Sequence, residues 1–272
     1  MGDDGGQSLR ETLARRGTVL AALHSAPRNK PALVDTLPVS RSTVDRAIDE
    51  LTEADLIERV DGDYRPTTAG EVALDCRRPY VERTDTLAAA RPVLNAVDDT
   101  DADAEVDIDP VFLQHASVTV ADPSVPENAL GGAVDRLTAS DRLRGFAAVV
   151  KPSYVSMLHG PVTGGDLSVE VIVERATREG LADLAYGREQ FADLLDSDDF
   201  EMLEVERDLP YALWLMDDEN ETGGYAGVAV HETGGVAGLL ATEHEPAVDW
   251  CRERYDAVRA AATPLPVDAV DL

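Results

Sequence analysis

VSRSTVDRAIDELTEADLIERVDGDYRPTTAGE, residues 39–71, decides how this chain begins to fold. Ser40 is a good helix N-cap, because its hydroxyl can accept an orphan backbone N–H. Behind it, Val44, Ala47, Ile48 and Leu51 recur at helical spacing and form a buried stripe. Arg41, Ser42, Thr43, Asp45 and Arg46 fall on the other side or at the exposed start. Leu56–Val60 then reads as a strand, Asp61-Gly62-Asp63 as a tight turn and Tyr64–Thr67 as the return strand. Thr68 is expected to cap a further helix running to about Pro92, with Val72, Leu74, Tyr80, Val81 and Leu87 as its apolar positions.

Working upstream, Leu9, Leu13, Val19, Leu20 and Leu23 give a first helical stripe, broken at Ser25, Pro27 and Asn29. A short second helix turns Leu33, Val34 and Leu37 inward, and Pro38 ends it by disfavouring helix at the residue before it. Helix, helix, turn, helix and glycine-turned hairpin is the order of a winged helix-turn-helix. Such a unit lays its third helix in a DNA major groove about 12 Å wide, N-terminal side chains against base edges. The expected DNA-contacting residues are Ser40, Arg41, Ser42, Thr43 and Arg46, with Arg59, Tyr64 and Arg65 from the wing, where Asp63 is also presented. The expected partner is double-stranded DNA, bound by a homodimer on a palindromic or semi-palindromic site. The plainer alternative is a helical bundle with a decorative hairpin, whose arginines are a solvated face.

The whole chain has 272 residues and a net charge of −29, with two lysines, Lys30 and Lys151. Such a balance argues against a nucleic-acid partner at ordinary ionic strength. It is also the balance of proteins working in multimolar salt, where an acidic, lysine-poor surface stays hydrated and charge is screened within about 3 Å. The charge is uneven. Residues 1–92 carry 13 Lys/Arg against 16 Asp/Glu, and residues 93–272 carry 11 against 37. Contact with a polyanion would spare the first part from acidification; so would chance. Met1–Gln7 lacks an apolar core, so it does not read as a signal peptide. No apolar run reaches the roughly 18 residues of a membrane span. A cytoplasmic location is expected, with Cys76 and Cys251 as free thiols.

Past Asn95 the sequence AVDDTDADAEVDIDP reads as an acidic linker, set at 93–109, between a DNA-binding domain (1–92) and an effector-binding or dimerisation domain (110–272). That last part alternates strand and helix signals. Strands are expected at 117–120, 143–150, 167–174, 200–207, 211–216, 225–231 and 236–242. Helices are expected at 126–139, 154–159, 175–186, 188–196 and 246–262, the last with a capping box at Thr242-Glu243-His244-Glu245. Strand–helix alternation implies parallel pairing, and the later strands look like an antiparallel meander. The fold class is therefore α+β: a winged helix-turn-helix followed by a mixed-sheet α/β sensor domain.

Within that domain Lys151 is the lone lysine, following a strand end in Val149-Val150-Lys151-Pro152-Ser153-Tyr154. Open α/β sheets place ligands at strand C-terminal ends, and a helix N-terminus favours anions. Lys151, Ser153 and Tyr154 are the candidate small-molecule effector site; the alternative is a surface lysine paired with an acid. His159, His231 and His244 read as surface or satisfied histidines, and Trp214 and Trp250 as core. No nucleophile elbow or phosphate-binding loop is present, so no catalytic residue and no cofactor is expected.

The stretch Leu33–Leu56, together with the sequence quoted above (39–71), resembles archaeal winged-helix regulators of the broad ArsR/TrmB-like group. The full chain is similar to haloarchaeal regulators with a methanogenesis-regulator (filament-regulator) type of C-terminal domain. LRGFAAVV (143–150), the Gly223-Gly224-Tyr225 turn, Gly238-Leu239-Leu240 and WCRERYDAVRAAATPLP (250–266) carry that second likeness. The resemblance implies sequence-specific transcription regulation, with sensing or dimerisation by the C-terminal part. Metal sensing is not implied, since His24 and Cys76 stand alone in the N-terminal region. Two other readings remain: a protein-interaction module, and an enzyme fused to a winged helix.

Overall fold

A computed structural model of the chain describes residues 3–98, 107–181, 187–217, 223–232 and 235–265. It divides into two units, residues 1–84 and 85–272, the boundary falling inside one long helix.

The first unit packs α1 (Asp3–Ser25), α2 (Lys30–Thr36) and α3 (Arg41–Glu53) around Leu20, Leu23, Leu33, Val44, Ile48 and Leu51, all buried. A hairpin of β1 (Ile57–Val60) and β2 (Asp63–Pro66) follows. Its two-residue loop places both Asp61 (φ 52°) and Gly62 (φ 98°) in the left-handed region. That is the primed turn whose twist suits a tight hairpin. The return strand is held near its turn by Arg28, whose backbone N–H and C=O pair with Tyr64 at 3.1 and 2.8 Å.

α4 (Thr68–Asp98) departs from expectation in three ways. The capping hydroxyl belongs to Thr67, not Thr68: its Oγ1 accepts from the Gly70 N–H at 3.1 Å and donates to the Asp55 carbonyl at 2.7 Å. The expected apolar stripe is largely outside, with Val72, Tyr80 and Leu87 exposed. Ala73 and Leu74 pack in the first unit, whereas Ala90, Val93, Ala96 and Val97 pack in the second. Residues 93–98 are thus helix rather than the start of a linker; residues 99–106 lie outside the described residues. The periodicity misled because alanine, a weak apolar signal, faces the core here.

The second unit is an eight-stranded sheet with helices on both faces. Its strands are β3 (Ser117–Val120), β4 (Arg142–Ala147), β5 (Ser168–Glu174), β6 (Phe200–Val205), β7 (Ala212–Asp217), β8 (Gly224–Glu232), β9 (Gly235–Thr242) and β10 (Thr263–Pro264). Their order is β10-β6-β5-β4-β7-β8-β9-β3, with β4, β5 and β6 parallel and the other pairings antiparallel. The parallel strands are linked by α7 (Pro152–Thr163) and by α8 (Arg175–Leu181) and α9 (Arg188–Leu195). β7, β8 and β9 form the expected meander. The expected strand over 143–150 stops at Ala147, and the helix expected at 154–159 extends over 152–163. The helix expected over 126–139 is a 3-10 turn (Pro126–Leu130) followed by α6 (Gly131–Leu137). Of the helix expected over 175–186, residues 182–186 lie outside the described residues. So does Pro266 of the quoted C-terminal likeness.

Strand residues alternate between the faces. Leu213 and Leu215 pack with Phe146, Ile172, Leu240 and the buried side of α10 (Glu245–Arg259). Trp214 and Met216 turn to the opposite face, where Leu137, Val155, Phe191 and Met202 come from α6, α7, α9 and β6. α5 (Pro110–His115) joins the first face, its N-terminus capped by the Asp109 carboxylate, which accepts from the Val111 N–H at 2.6 Å. α10 has no capping box. His244 is its N-cap without a side-chain bond, and the Thr242 hydroxyl accepts from the His244 N–H and donates to the His115 carbonyl.

Candidate nucleic-acid interface and an apolar cavity

Four residues at the start of α3 follow from one cap. Ser40 Oγ accepts from the Thr43 N–H at 3.2 Å and lies 2.9 and 2.8 Å from the hydroxyls of Ser42 and Thr43. The cap fixes the helix start, and the Val44–Leu51 stripe fixes its rotation. Arg41, Ser42 and Arg46 are consequently exposed. Among the described residues, Arg41 and Arg46 form no hydrogen bond and no ion pair. Two neighbouring cations, Lys30 and Arg16, are occupied. Lys30 lies 2.9 Å from Asp45, and Arg16 donates to both oxygens of Glu50 at 2.9 and 2.8 Å. That pairing holds the Glu50 carboxyl below its usual range, with Arg15 and Arg46 adding to it at longer distance.

In the wing, the Arg59 guanidinium stands over the Tyr64 ring, 5.6 Å from its centroid, and Arg65 meets Glu58 at 2.8 Å. Arg59 is thus presented on an aromatic support, while Arg65 is partly neutralised. The sequence did not single out Arg28 and Asn29. Asn29 caps α2 by accepting from the Ala32 N–H at 3.1 Å, a role its position just before a helix beginning Lys30-Pro31 could have signalled.

In the second unit, the three candidate effector residues part company. Lys151 and Ser153 both face Glu127, at 3.7 and 3.4 Å. Tyr154 turns away, its hydroxyl 3.0 Å from His231 Nε2. Burial, with Glu127 adding, pushes the Tyr154 phenol up to about 12. Burial, with Lys151 adding, pushes the His231 imidazole down to about 4. Both groups are therefore neutral at pH 7. The other histidines are occupied: His159 lies 2.9 Å from Asp193, and His244 stacks on His115 with ring centroids 3.5 Å apart.

Tyr154 and His231 stand in the wall of a half-open apolar cavity of about 180 Å³ on the Trp214 face of the sheet. Small residues in register create it. Gly145 pairs with Trp214, Trp214 with Gly227, and Ala212 with Ala229. The indole leans over Gly227, where a Cβ would stand 2.3 Å from its Cζ2. Trp214 Nε1 and His231 Nδ1 are buried and have no hydrogen-bond partner among the described residues. Trp250, by contrast, packs on Phe112 as core, 4.9 Å between centroids.

A family model described as the methanogenesis regulatory protein FilR1, middle domain, matches residues 126–261. The chain belongs to this family. A second model, the HVO_A0261 N-terminal domain, matches residues 8–89. No curated protein matches. Among solved structures, the chain is similar to TrmBL2, an archaeal chromatin protein, at 11% identity, covering 93% of this chain and 94% of that one with a TM-score of 0.39. It is also similar to NucT from Helicobacter pylori (10% identity, 55% and 98% covered, TM-score 0.41). A third is Nuc from Salmonella typhimurium, a phospholipase D family member (11%, 55% and 98%, TM-score 0.38). Likenesses this loose carry no argument about function.

The matched FilR1-type segment holds the whole cavity wall, from Leu130 to His231. Among the described residues, no group of three or more His, Cys, Asp and Glu could hold a metal ion. No described helix is long and apolar enough to cross a membrane. The sequence reading named Tyr154 but passed over His231 as a surface or satisfied histidine and Trp214 as core. The available signal was Gly227 inside a strand, which marks a close approach.

Proposed function

We propose that this chain is a sequence-specific transcription regulator that reads double-stranded DNA with α3 and binds a small effector in its second unit. One observation carries the DNA reading: the Arg41–Arg46 side of α3 is exposed, capped and unpaired in a chain where most other cations meet carboxylates. Arg can span guanine O6 and N7, and the Ser40, Ser42 and Thr43 hydroxyls suit bases or phosphates. Arg59 and Tyr64 suit backbone phosphates beside the groove, with Arg65 available if it leaves Glu58. In multimolar salt, counterion release contributes little, so base contacts and shape fit carry more of the affinity.

Residues 1–92 are the DNA-binding part of this proposal and residues from about 110 onward the effector part. Tyr154 belongs to the effector site, with Lys151 and Ser153 at its edge. The working form is a cytoplasmic homodimer. Exposed Tyr80 and Leu87, seven residues apart on α4, support that state, since one heptad is the repeat of helix pairing. Promoter mapping in high salt tests the reading. Discrete enriched promoters are expected, and Arg46→Ala should weaken binding to one of them by about 1–3 kcal/mol. Diffuse or absent enrichment would sink the proposal and leave the interaction-module reading.

A further inference from the structure

We infer that the cavity beneath Tyr154 takes an uncharged, ring-sized apolar molecule, and that this is the chemical class of the effector. The inference rests on the effector reading above and narrows it. Size is the first argument. An engineered apolar cavity of about 150 Å³ stays dry and binds benzene, so about 180 Å³ suits a single ring with short substituents. The wall is the second. Met157, Leu158, Phe191, Met202 and Trp214 line it, and its polar members, Tyr154 and His231, are bonded to each other.

Charge is the third argument. An ion entering an apolar site loses its hydration and must find a partner. Lys151, at the edge of the site, already faces Glu127. The Glu170 carboxylate is held by Tyr255 and Arg259 on the other face of the sheet. Burial holds both Tyr154 and His231 uncharged at neutral pH. The buried polar atoms without partners among the described residues, Trp214 Nε1 and His231 Nδ1, belong to uncharged side chains and offer nothing to balance an ionised ligand.

The test uses the full chain with toluene and benzoate as probes of matched body and opposite charge character. Binding is read by tryptophan fluorescence, since Trp214 stands in the wall. Toluene is expected to bind at least about tenfold more tightly than benzoate. Ala133→Phe and Ala229→Val both add volume to the wall; whichever folds should weaken toluene by about tenfold. Benzoate binding as tight as toluene, no saturable toluene binding, or toluene binding unchanged in a folded filled variant would each overturn the inference. Promoter binding measured on the same samples without toluene separates the two readings. Promoter binding without toluene binding removes the cavity proposal alone, and toluene binding without promoter binding removes the regulator alone.

Discussion

Arginine behaves differently in the two units. In the second, Arg144, Arg178, Arg252 and Arg259 meet Asp217, Glu204, Asp249 and Glu170 at 2.6, 2.5, 2.7 and 2.8 Å. In the first, Arg41 and Arg46 stand outward at the start of α3 with no such partner. In a chain with 53 Asp/Glu against 24 Lys/Arg, an arginine left alone is held apart by backbone geometry. Here the Ser40 cap and the Val44–Leu51 stripe aim it. The contrast is local: these four arginines of the second unit are spent on its own structure, whereas Arg41 and Arg46 at the start of α3 are not.

The largest test of that division is in the core of the first unit. Leu51→Ala, at a site with no exposure, should cost about 2–5 kcal/mol. Circular dichroism should show an earlier helical transition. Tryptophan fluorescence, which reports the second unit alone because Trp214 and Trp250 both lie there, should not move. A joint shift of both signals would break the comparison.

Next comes pH. The His231 imidazole is held near 4 in the fold against 6.5 when unfolded. Between those values the unfolded chain binds more protons, so stability present above pH 6.5 is lost as pH falls toward 4. The loss is at most about 3 kcal/mol. His231→Gln should flatten that part of the urea-stability profile of the second unit; an unchanged slope would show that His231 titrates normally. The smallest effect is at the cap. Ser40→Ala should lower the first unit's stability by about 1 kcal/mol. Unaltered stability would mean that the hydroxyls of Ser42 and Thr43 replace it.

The winged unit was legible almost residue by residue because its signals are local. Ser40 caps within three residues, Pro38 stops α2 and Asp61-Gly62 closes the hairpin. Seven strands of the second unit were legible to within a few residues from their apolar runs, whereas the two-residue β10 (Thr263–Pro264) was not. Their order was not, since pairing depends on partners far apart in the chain. α4 was misread because alanines such as Ala90 and Ala96 give little apolar contrast, while Val72 and Tyr80 give much and lie outside. The cavity was the least legible part. It arises where Gly145, Gly227 and Ala229, on separate strands, fall in register around Trp214, and no window of one sequence displays that. Tyr154 was found from its place after a strand end; its partner His231 lies 77 residues away.

The edge strand β3 has a further consequence, in time rather than space. Ser117 bonds to Ala241, 124 residues later. At about 5–20 residues per second of synthesis, β3 waits roughly 6–25 s before its partner β9 exists. Over that interval its backbone N–H and C=O groups have no sheet to join, so the newborn chain is most open to strand exchange with its neighbours on the same message. A four-residue length, with Ser117 and Thr119 among its members, keeps that exposed template short.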